Sequence, residues 1–341
     1  MSLSINLSYQ NGLIGDVTTT MERPGTALGQ WLQQQPEQEA LAALPVIFSV
    51  CGRSHDVAAR LALGLLKDTE EARRQAHRAV LESIREYLIR LLQHWHYPLD
   101  RARLGQWMQA VNSDTDSPAV LAAGARDLMP DRQQTTAWLQ QLEKNWQQTL
   151  ANTHIDFNHC AQQAGGQPLH YDEWSPENSG FTQTFFAGGG AQVLAHNKGP
   201  LIPLLSQVID RMLTDLTYLT GRLTGELTGY ALIQHCLRED RHGSHSEGWV
   251  RTSRGWLCHR ISTTREGRQW QVIAPTDINF SLTGSLLCTG LQGQHIPEDE
   301  LVAAVAAIVK AIDPCVAFTL LINGQTAETE NSDPGTDNQH A

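Results

Sequence analysis

A cysteine and a histidine four residues apart form the first group that could bind a metal. Cys51 stands directly before a predicted helix in the segment SVCGRSH, residues 49–55, and Ser54 is expected to cap the first helical turn. The free N–H groups and the dipole of a helix start favour a thiolate, the form of cysteine that binds metals. His55 falls on the same side of the helix and can donate a hydrogen bond to that sulfur. The plainer interpretation is a buried thiol beside a capping or surface histidine.

Residues near the C-terminal end could complete such a site. In the segment DPC, residues 313–315, the proline ends a preceding helix and Cys315 opens a strand, so a second thiol follows a rigid corner. Arg254 supplies a rigid fork of donors and Thr276 a hydroxyl, and this pair suits a small anionic ligand. Each feature alone also fits a structural role, as a helix-to-strand corner or a hairpin with a solvated arginine.

Other patterns suggest chemistry but lack the spacing that it requires. The pairs His235-Cys236 and Cys258-His259 contain zinc ligands, but adjacent side chains diverge and neither pair has the spacing of a zinc finger. The glycines at 188–190 lack the Lys and Ser/Thr of a phosphate-binding loop, and we expect a flexible surface loop there. The remaining cysteines are interpreted as ordinary buried thiols: Cys160, Cys236, Cys258 and Cys288.

The bulk composition is that of an acidic protein with a large core. The chain has 341 residues, of which 41% are hydrophobic and 18% charged, and its net charge is -11. That charge argues against binding to nucleic acid or to an anionic membrane surface. The N-terminus lacks the pattern of a signal peptide, and no window approaches the ~18 apolar residues that span a bilayer. We therefore expect a soluble, cytoplasmic protein that binds neither nucleic acid nor membrane.

The hydrophobic pattern predicts an α+β fold, with a helical core and β-structure contributed by both ends of the chain. Residues 3–20 alternate around Asn11-Gly12 and predict a hairpin. Helical patterns cover residues 36–44, 54–95, 101–112, 117–128, 132–150, 203–236 and 297–312, and residues 248–272 and those after Cys315 have β character. We expect a single domain over residues 1–323 and a disordered acidic tail over residues 324–341. This arrangement would bring the two ends, and with them Cys51 and Cys315, close together.

Taken in order along the chain, these groups resemble the motifs of the [NiFe]-hydrogenase large subunit. That family carries R-x-C-G-x-C-x-x-x-H near its N-terminus and D-P-C-x-x-C-x-x-H near its C-terminus. Cys51 and His55 match the first motif, and residues 313–315 match the second. Between them, RTSRGW at 251–256 resembles E-A-P-R-G, and WQVIAPTDIN at 270–279 resembles Y-Q-x-x-x-P-T-x-x-N. In the family, the arginine and the Pro-Thr pair surround the cyanide ligands of iron. The resemblance implies a reduced large-subunit-like fold.

The chain departs from the family at half of the metal-binding cysteines. Val46 and Phe48 stand where the first motif has its arginine and first cysteine, and Phe318 and Leu321 replace the second cysteine and the histidine of the last motif. Nickel in the enzyme is held by four thiolates, which two cannot reproduce. The chain is also shorter than a typical large subunit. It most resembles the non-catalytic accessory proteins of hydrogenase maturation called HupK or HoxV.

This resemblance implies a maturation factor and not an enzyme. It would act as scaffold or carrier for the Fe(CN)2(CO) part of the cofactor before transfer to the large subunit, without nickel. Cys51 and Cys315 would hold the iron, and Arg254, Thr276 and His55 would surround it. Partners would be the large-subunit precursor, a small iron-carrying chaperone and the iron–sulfur partner of that chaperone. We expect Cys51 to be the more important thiolate. The alternative is a metal-free, large-subunit-like structural subunit of a redox complex.

Overall fold

Helices form the centre of the molecule and two four-stranded sheets flank them, in a computed structural model. The residues that it describes are 2–22, 25–66, 70–113, 117–157, 189–195, 197–224, 233–240, 243–264, 267–281 and 285–329. The predictions for Cys160, for Gly188 and for residues 330–341 lie outside these ranges. Mixed helix and strand is the class that the sequence predicts, so the α+β class is confirmed.

The first two strands form the predicted hairpin. Strand β1 (Ser2–Gln10) pairs antiparallel with β2 (Leu13–Glu22), and the turn residues Asn11 and Gly12 have φ values of 51° and 84°. Two consecutive positive φ values define a type I′ turn, for which Asn-Gly is a favoured pair. Leu3 and Ile5 point from β1 into the core and are fully buried.

Both ends of the chain meet in the sheet β10-β9-β1-β2. Strand β9 (Ala317–Ile322) runs parallel to β1, with Leu3 opposite Phe318, and antiparallel to β10 (Gln325–Thr329). The sheet therefore brings the chain next to Cys315 back to the N-terminal hairpin, as predicted. Strand β10 also lies within the predicted disordered tail, which was expected to begin at residue 324. The turn at Asn323-Gly324, with φ values of 52° and 80°, reverses the chain, so ordered structure continues past residue 323.

The described helices largely follow the predicted segments. They are α1 (Gly25–Gln34), α2 (Glu37–Ile47), α3 (Gly52–Ala62), α4 (Glu70–Trp95), α5 (Arg101–Ser113), α6 (Pro118–Leu128), α7 (Arg132–Trp146), α8 (Gly189–Ala195), α9 (Leu201–Thr224), α10 (Leu286–Leu291) and α11 (Leu301–Ile312). The long helices α4 and α9 supply fully buried side chains such as Ile84, Leu88 and Ile209 at helical spacing. The glycines at 189–190 begin α8 and do not form the predicted loop.

A second sheet has the order β5-β6-β7-β8, formed by β5 (Ile233–Asp240), β6 (Gly243–Thr252), β7 (Gly255–Thr264) and β8 (Gly267–Ile273). The prediction of helix through residue 236 is wrong, because α9 ends at Thr224 before a glycine and residues 233–236 pair with β6. Helix α3 packs directly on this sheet. A Cβ at Gly248 would lie 1.9 Å from the Ala58 carbonyl oxygen, so only glycine allows this contact.

Two short strands, β3 (His154–Asp156) and β4 (Lys198–Pro200), pair antiparallel away from the two larger sheets. Across the described part of the chain, no helix has the combination of length and apolar character that crossing a membrane requires.

Candidate functional site

The N-terminus of α3 is capped by a carboxylate from α4. Cys51 is the N-cap residue but makes no capping bond with its side chain. Instead Glu82 accepts hydrogen bonds from the backbone nitrogens of Arg53 (3.0 Å) and Ser54 (2.9 Å), and from the Ser54 hydroxyl (2.7 Å). Ser54 therefore lies inside the helix and does not cap it, which corrects the sequence prediction. The carboxylate fixes the backbone that carries Cys51.

The thiol of Cys51 is not activated by its position at the helix start. It keeps some solvent contact, yet the surrounding protein excludes bulk water, and burial raises its pKa well above the usual value. Cys315 and Glu82 raise the pKa of Cys51 further, and only Arg254 lowers it appreciably. The expectation of a thiolate favoured by the helix start is therefore wrong. Glu82 already occupies the N–H groups that would have stabilised the thiolate, and desolvation outweighs the dipole.

The second predicted thiol, Cys315, lies close enough to Cys51 for their charges to interact. Asp313 ends α11 with a left-handed φ of 65°, and Pro314 then turns the chain toward β9. The hydroxyl of Thr276 donates a hydrogen bond to the Cys315 sulfur at 3.2 Å. The structure thus brings together two cysteines from opposite ends of the chain and places Thr276 on one of them.

Arg254 is a buried positive charge beside the two cysteines. It lies between β6 and β7, its side chain is 4% exposed, and its Nη2 and Nε atoms lie 3.3 Å from Glu86 and 3.3 Å from Asp313. Burial alone disfavours the charged guanidinium, but Asp313, Glu86 and the two cysteines raise the pKa of Arg254 above its usual value. Arg90 also pairs with Asp313. Arg254 therefore stays charged, and its positive charge interacts with both thiols.

His55 is held in a buried aromatic and imidazole cluster. Its ring stacks on Phe48 with centroids 3.5 Å apart and an interplanar angle of 4°, and its Nδ1 atom lies 2.9 Å from Nε2 of His259. The indole N–H of Trp270 in turn donates to Nδ1 of His259 at 3.0 Å. Phe48, which occupies the position of a family cysteine, thus supports the histidine of the same motif.

Two buried donors beside the motif residues have no acceptor among the described residues: the hydroxyl of Ser253 and the side-chain nitrogen of Asn279. Ser253 precedes Arg254 in the chain, and Asn279 lies one helical turn after Thr276. A buried donor without an acceptor is costly, so a group of them suits a ligand that only accepts hydrogen bonds.

Sequence reasoning missed the acidic and imidazole partners of the motif residues. Glu82 and Glu86 come from the middle of α4, where they fitted a solvated helix face. His259 was considered only as a zinc ligand beside Cys258. In the structure His259 lies opposite Gly248, on the face of the sheet that packs against α3, and Cys258 lies opposite Trp249 on the other face. The side chains of that pair therefore diverge, as the sequence analysis expected.

Other predicted positions lie in strands or pack inside the protein. Phe318 is fully buried in β9, and Leu321 lies within the same strand. Cys258 is buried and Cys288 contacts the Thr19 hydroxyl at 3.7 Å. Cys236 lies on β5. Within the described ranges, no cluster of three or more His, Cys, Asp or Glu side chains is arranged to hold a metal ion.

No protein-family model matches this chain, but it is similar in sequence to known proteins. Hydrogenase expression/formation protein HupK of Azotobacter vinelandii is 28% identical over 94% of this chain and 98% of the relative. Hydrogenase expression/formation protein HupV of Azotobacter chroococcum mcd 1 is 29% identical over the same shares. A variant of the [NiFeSe] hydrogenase from Desulfovibrio vulgaris Hildenborough has a TM-score of 0.48 at 12% identity, over 90% of this chain and 94% of that chain.

The two sequence relatives cover nearly the whole chain and are themselves covered nearly completely. One of them carries the name HupK, which the motifs indicated, and both are named hydrogenase expression/formation proteins. The resemblance is therefore confirmed: over almost its entire length, this chain is similar to hydrogenase expression/formation proteins of the HupK and HupV type.

Proposed function

We propose that this chain is a hydrogenase maturation factor that holds the Fe(CN)2(CO) part of the [NiFe] cofactor before the large subunit receives it. Relatives named as hydrogenase expression/formation proteins support a role in maturation. The observation that carries the more specific proposal is the pairing of Cys51 and Cys315, from opposite ends of the chain, beside the buried cation of Arg254.

The chemistry of these donors fits an iron unit with small anionic ligands. Two thiolates would supply the protein ligands of the iron, and diatomic ligands would fill its other positions. Cyanide nitrogens accept hydrogen bonds and carry negative charge, so they match Arg254 and the unpaired donors of Ser253 and Asn279. Thr276 would act through the Cys315 sulfur, to which it donates a hydrogen bond. His55 would donate to a bound sulfur or to the cargo.

The raised pKa of Cys51 gives the site a way to distinguish empty from loaded states. Burial and the neighbouring acidic groups keep the empty thiol protonated. A metal must displace that proton, so iron binding at Cys51 releases a proton and weakens as the pH falls. A site of this kind holds its cargo conditionally, which suits a carrier that must later release it.

Two replaced cysteine positions support a factor that has no hydrogenase activity and no nickel. Phe48 and Phe318 replace two thiolates, and a phenyl ring cannot ligate a metal. We propose a cytoplasmic protein whose partners are the large-subunit precursor, the small iron-carrying chaperone and the iron–sulfur partner of that chaperone.

The direct test is infrared spectroscopy with iron analysis on full-length protein purified without oxygen from cells that make hydrogenase. We expect cyanide and carbonyl stretching bands and iron approaching one equivalent per chain. Protein from cells in which the maturation genes are deleted is the control, and it should lack the bands. An Arg254→Lys variant should keep iron but shift the cyanide bands, because it keeps the charge and changes the donor geometry. Iron-free wild-type protein without diatomic bands would refute the proposal and favour the metal-free structural subunit.

A further inference from the structure

A relay of three side chains connects the second sheet to the candidate site. Trp270 on β8, His259 on β7 and His55 on α3 follow one another through hydrogen-bond distances of 3.0 Å and 2.9 Å. All three side chains are buried, and each lies within direct hydrogen-bond distance of the next. The direction of each hydrogen bond can therefore be worked out from the chemistry of the partners.

The first bond fixes the proton of His259. An indole nitrogen can only donate, so the Nδ1 atom of His259, 3.0 Å from Trp270 Nε1, must accept. Burial lowers the pKa of His259 to about 3, so the ring is neutral near neutral pH. A neutral imidazole carries one proton, and with Nδ1 accepting that proton must be on Nε2.

The second hydrogen bond determines the tautomer of His55. The protonated Nε2 atom of His259 lies 2.9 Å from Nδ1 of His55 and donates to it. Since Nδ1 of His55 accepts, its own ring proton is on Nε2. The parallel ring of Phe48, 3.5 Å away, fixes the plane of the imidazole. Both the tautomer and the orientation of His55 are thus set by residues outside the motif that carries it.

We propose that His259 is a positioning residue for the two-cysteine site, because it holds the ring proton of His55 on Nε2, the tautomer that can donate a hydrogen bond to bound cargo or to its sulfur ligand. The part that concerns the cargo rests on the proposed function, whereas the tautomer of His55 does not. Trp270 has the supporting role of keeping His259 in the donating form.

A matched pair of variants tests the direction of the relay. In His259→Gln the side-chain oxygen can accept from Trp270 and the amide nitrogen can still donate to His55. In His259→Glu a side chain of the same shape can only accept from both neighbours when it is ionised. The readout is the ¹H–¹⁵N long-range spectrum of iron-free, full-length protein with labelled histidine, in which the His55 signals are assigned by their loss in His55→Gln.

We expect wild type and His259→Gln to carry the His55 proton on Nε2 alone. Once its carboxyl is ionised, His259→Glu should move a proton of His55 onto Nδ1. Trp270→Phe, which allows His259 either tautomer, should give a mixture at His55. Trp107→Phe is its control, since Trp107 is equally buried but donates to the Leu121 carbonyl. A wild-type His55 protonated on Nδ1 would overturn the inference. So would an Nε2 proton that persists unchanged in Trp270→Phe, or in His259→Glu at a pH high enough to ionise the buried glutamate.

The cargo is scored separately. In protein purified from hydrogenase-producing cells, His259→Gln should show wild-type iron content and cyanide bands, and His259→Glu should lose iron or shift the bands. If wild-type protein carries no iron, the proposed function fails and the tautomer result still stands. If iron and bands are identical in both variants although the tautomer has changed, His259 does not act on the site.

Discussion

A buried, neutral histidine makes the stability of this protein sensitive to mild acid. Burial lowers the pKa of His259 to about 3, from an ordinary value of 6.5. Between these values the unfolded chain binds a proton that the folded protein does not. The free energy of unfolding therefore rises with pH through this window. The contribution that neutral His259 makes to stability is fully present above pH 6.5 and is lost as the pH falls toward 3. His259→Gln removes this titration and keeps a hydrogen-bond donor for His55.

The expected size follows from the linkage relation. One pKa unit corresponds to about 1.4 kcal/mol, so acidification from pH 6.5 to pH 5 removes about 2 kcal/mol through His259. Groups common to both proteins cancel when wild type and variant are compared. We therefore expect wild type to lose about 2 kcal/mol more than His259→Gln between pH 7 and pH 5.

The assay is urea denaturation of iron-free protein at the two pH values, followed by tryptophan fluorescence and circular dichroism. The control is His154→Gln, the same substitution at an exposed histidine. Equal acid losses in wild type and His259→Gln would show that His259 is not held neutral by burial. The proton of His259 would then not be confined to Nε2, since a charged imidazole carries a proton on both nitrogens.

Three further predictions concern the cap, the metal and the C-terminus. Glu82→Gln should destabilise the protein by about 1–3 kcal/mol in urea titration, because one buried backbone N–H loses its acceptor, whereas Glu71→Gln on the exposed face of α4 should unfold like wild type. Metal analysis should find no stoichiometric nickel and gas analysis no hydrogen turnover, since Phe48 and Phe318 cannot bind nickel. Stoichiometric nickel together with hydrogen turnover would contradict the site assignment. Intact mass should show no cut near Leu321, which lies in β9 between β1 and β10, and a clean cleavage there would refute this placement.

The parts of the fold that local pattern determines could be predicted from the sequence. Asn11-Gly12 requires a specific turn, and the spacing of apolar residues along α4 and α9 is helical over many turns. The motif around 313–315 predicted a helix end followed by a strand, and this is what α11 and β9 form. The predicted helix end at residue 236 is wrong because β5 forms by pairing with β6, a tertiary contact that overrides local helical preference.

The site could be predicted only in the residues that the motifs name. Arg254 pairs with a glutamate 168 positions away, and His55 with a histidine 204 positions away. Neither distance leaves a signal in local spacing. Cys51 shows the same limit in its electrostatics. The helix start is a local feature and favours a thiolate, but burial and the carboxylate of Glu82 come from the whole fold and reverse the effect.

This reversal also removes the reason to rank the two cysteines. The expected advantage of Cys51 rested on the helix start, which the structure does not support. Cys315, by contrast, receives the hydrogen bond of Thr276. We therefore expect both sulfurs to be required, each as one ligand of the same iron.

The most direct test measures iron content and cyanide bands in single cysteine variants purified without oxygen from hydrogenase-producing cells. Cys51→Ala and Cys315→Ala should each lose the iron and the bands. Cys258→Ala is the matched control, because Cys258 is a buried thiol on the opposite face of the sheet from His259, and it should retain both at the wild-type level. Normal iron with intact cyanide bands in either Cys51→Ala or Cys315→Ala would contradict the account of this site.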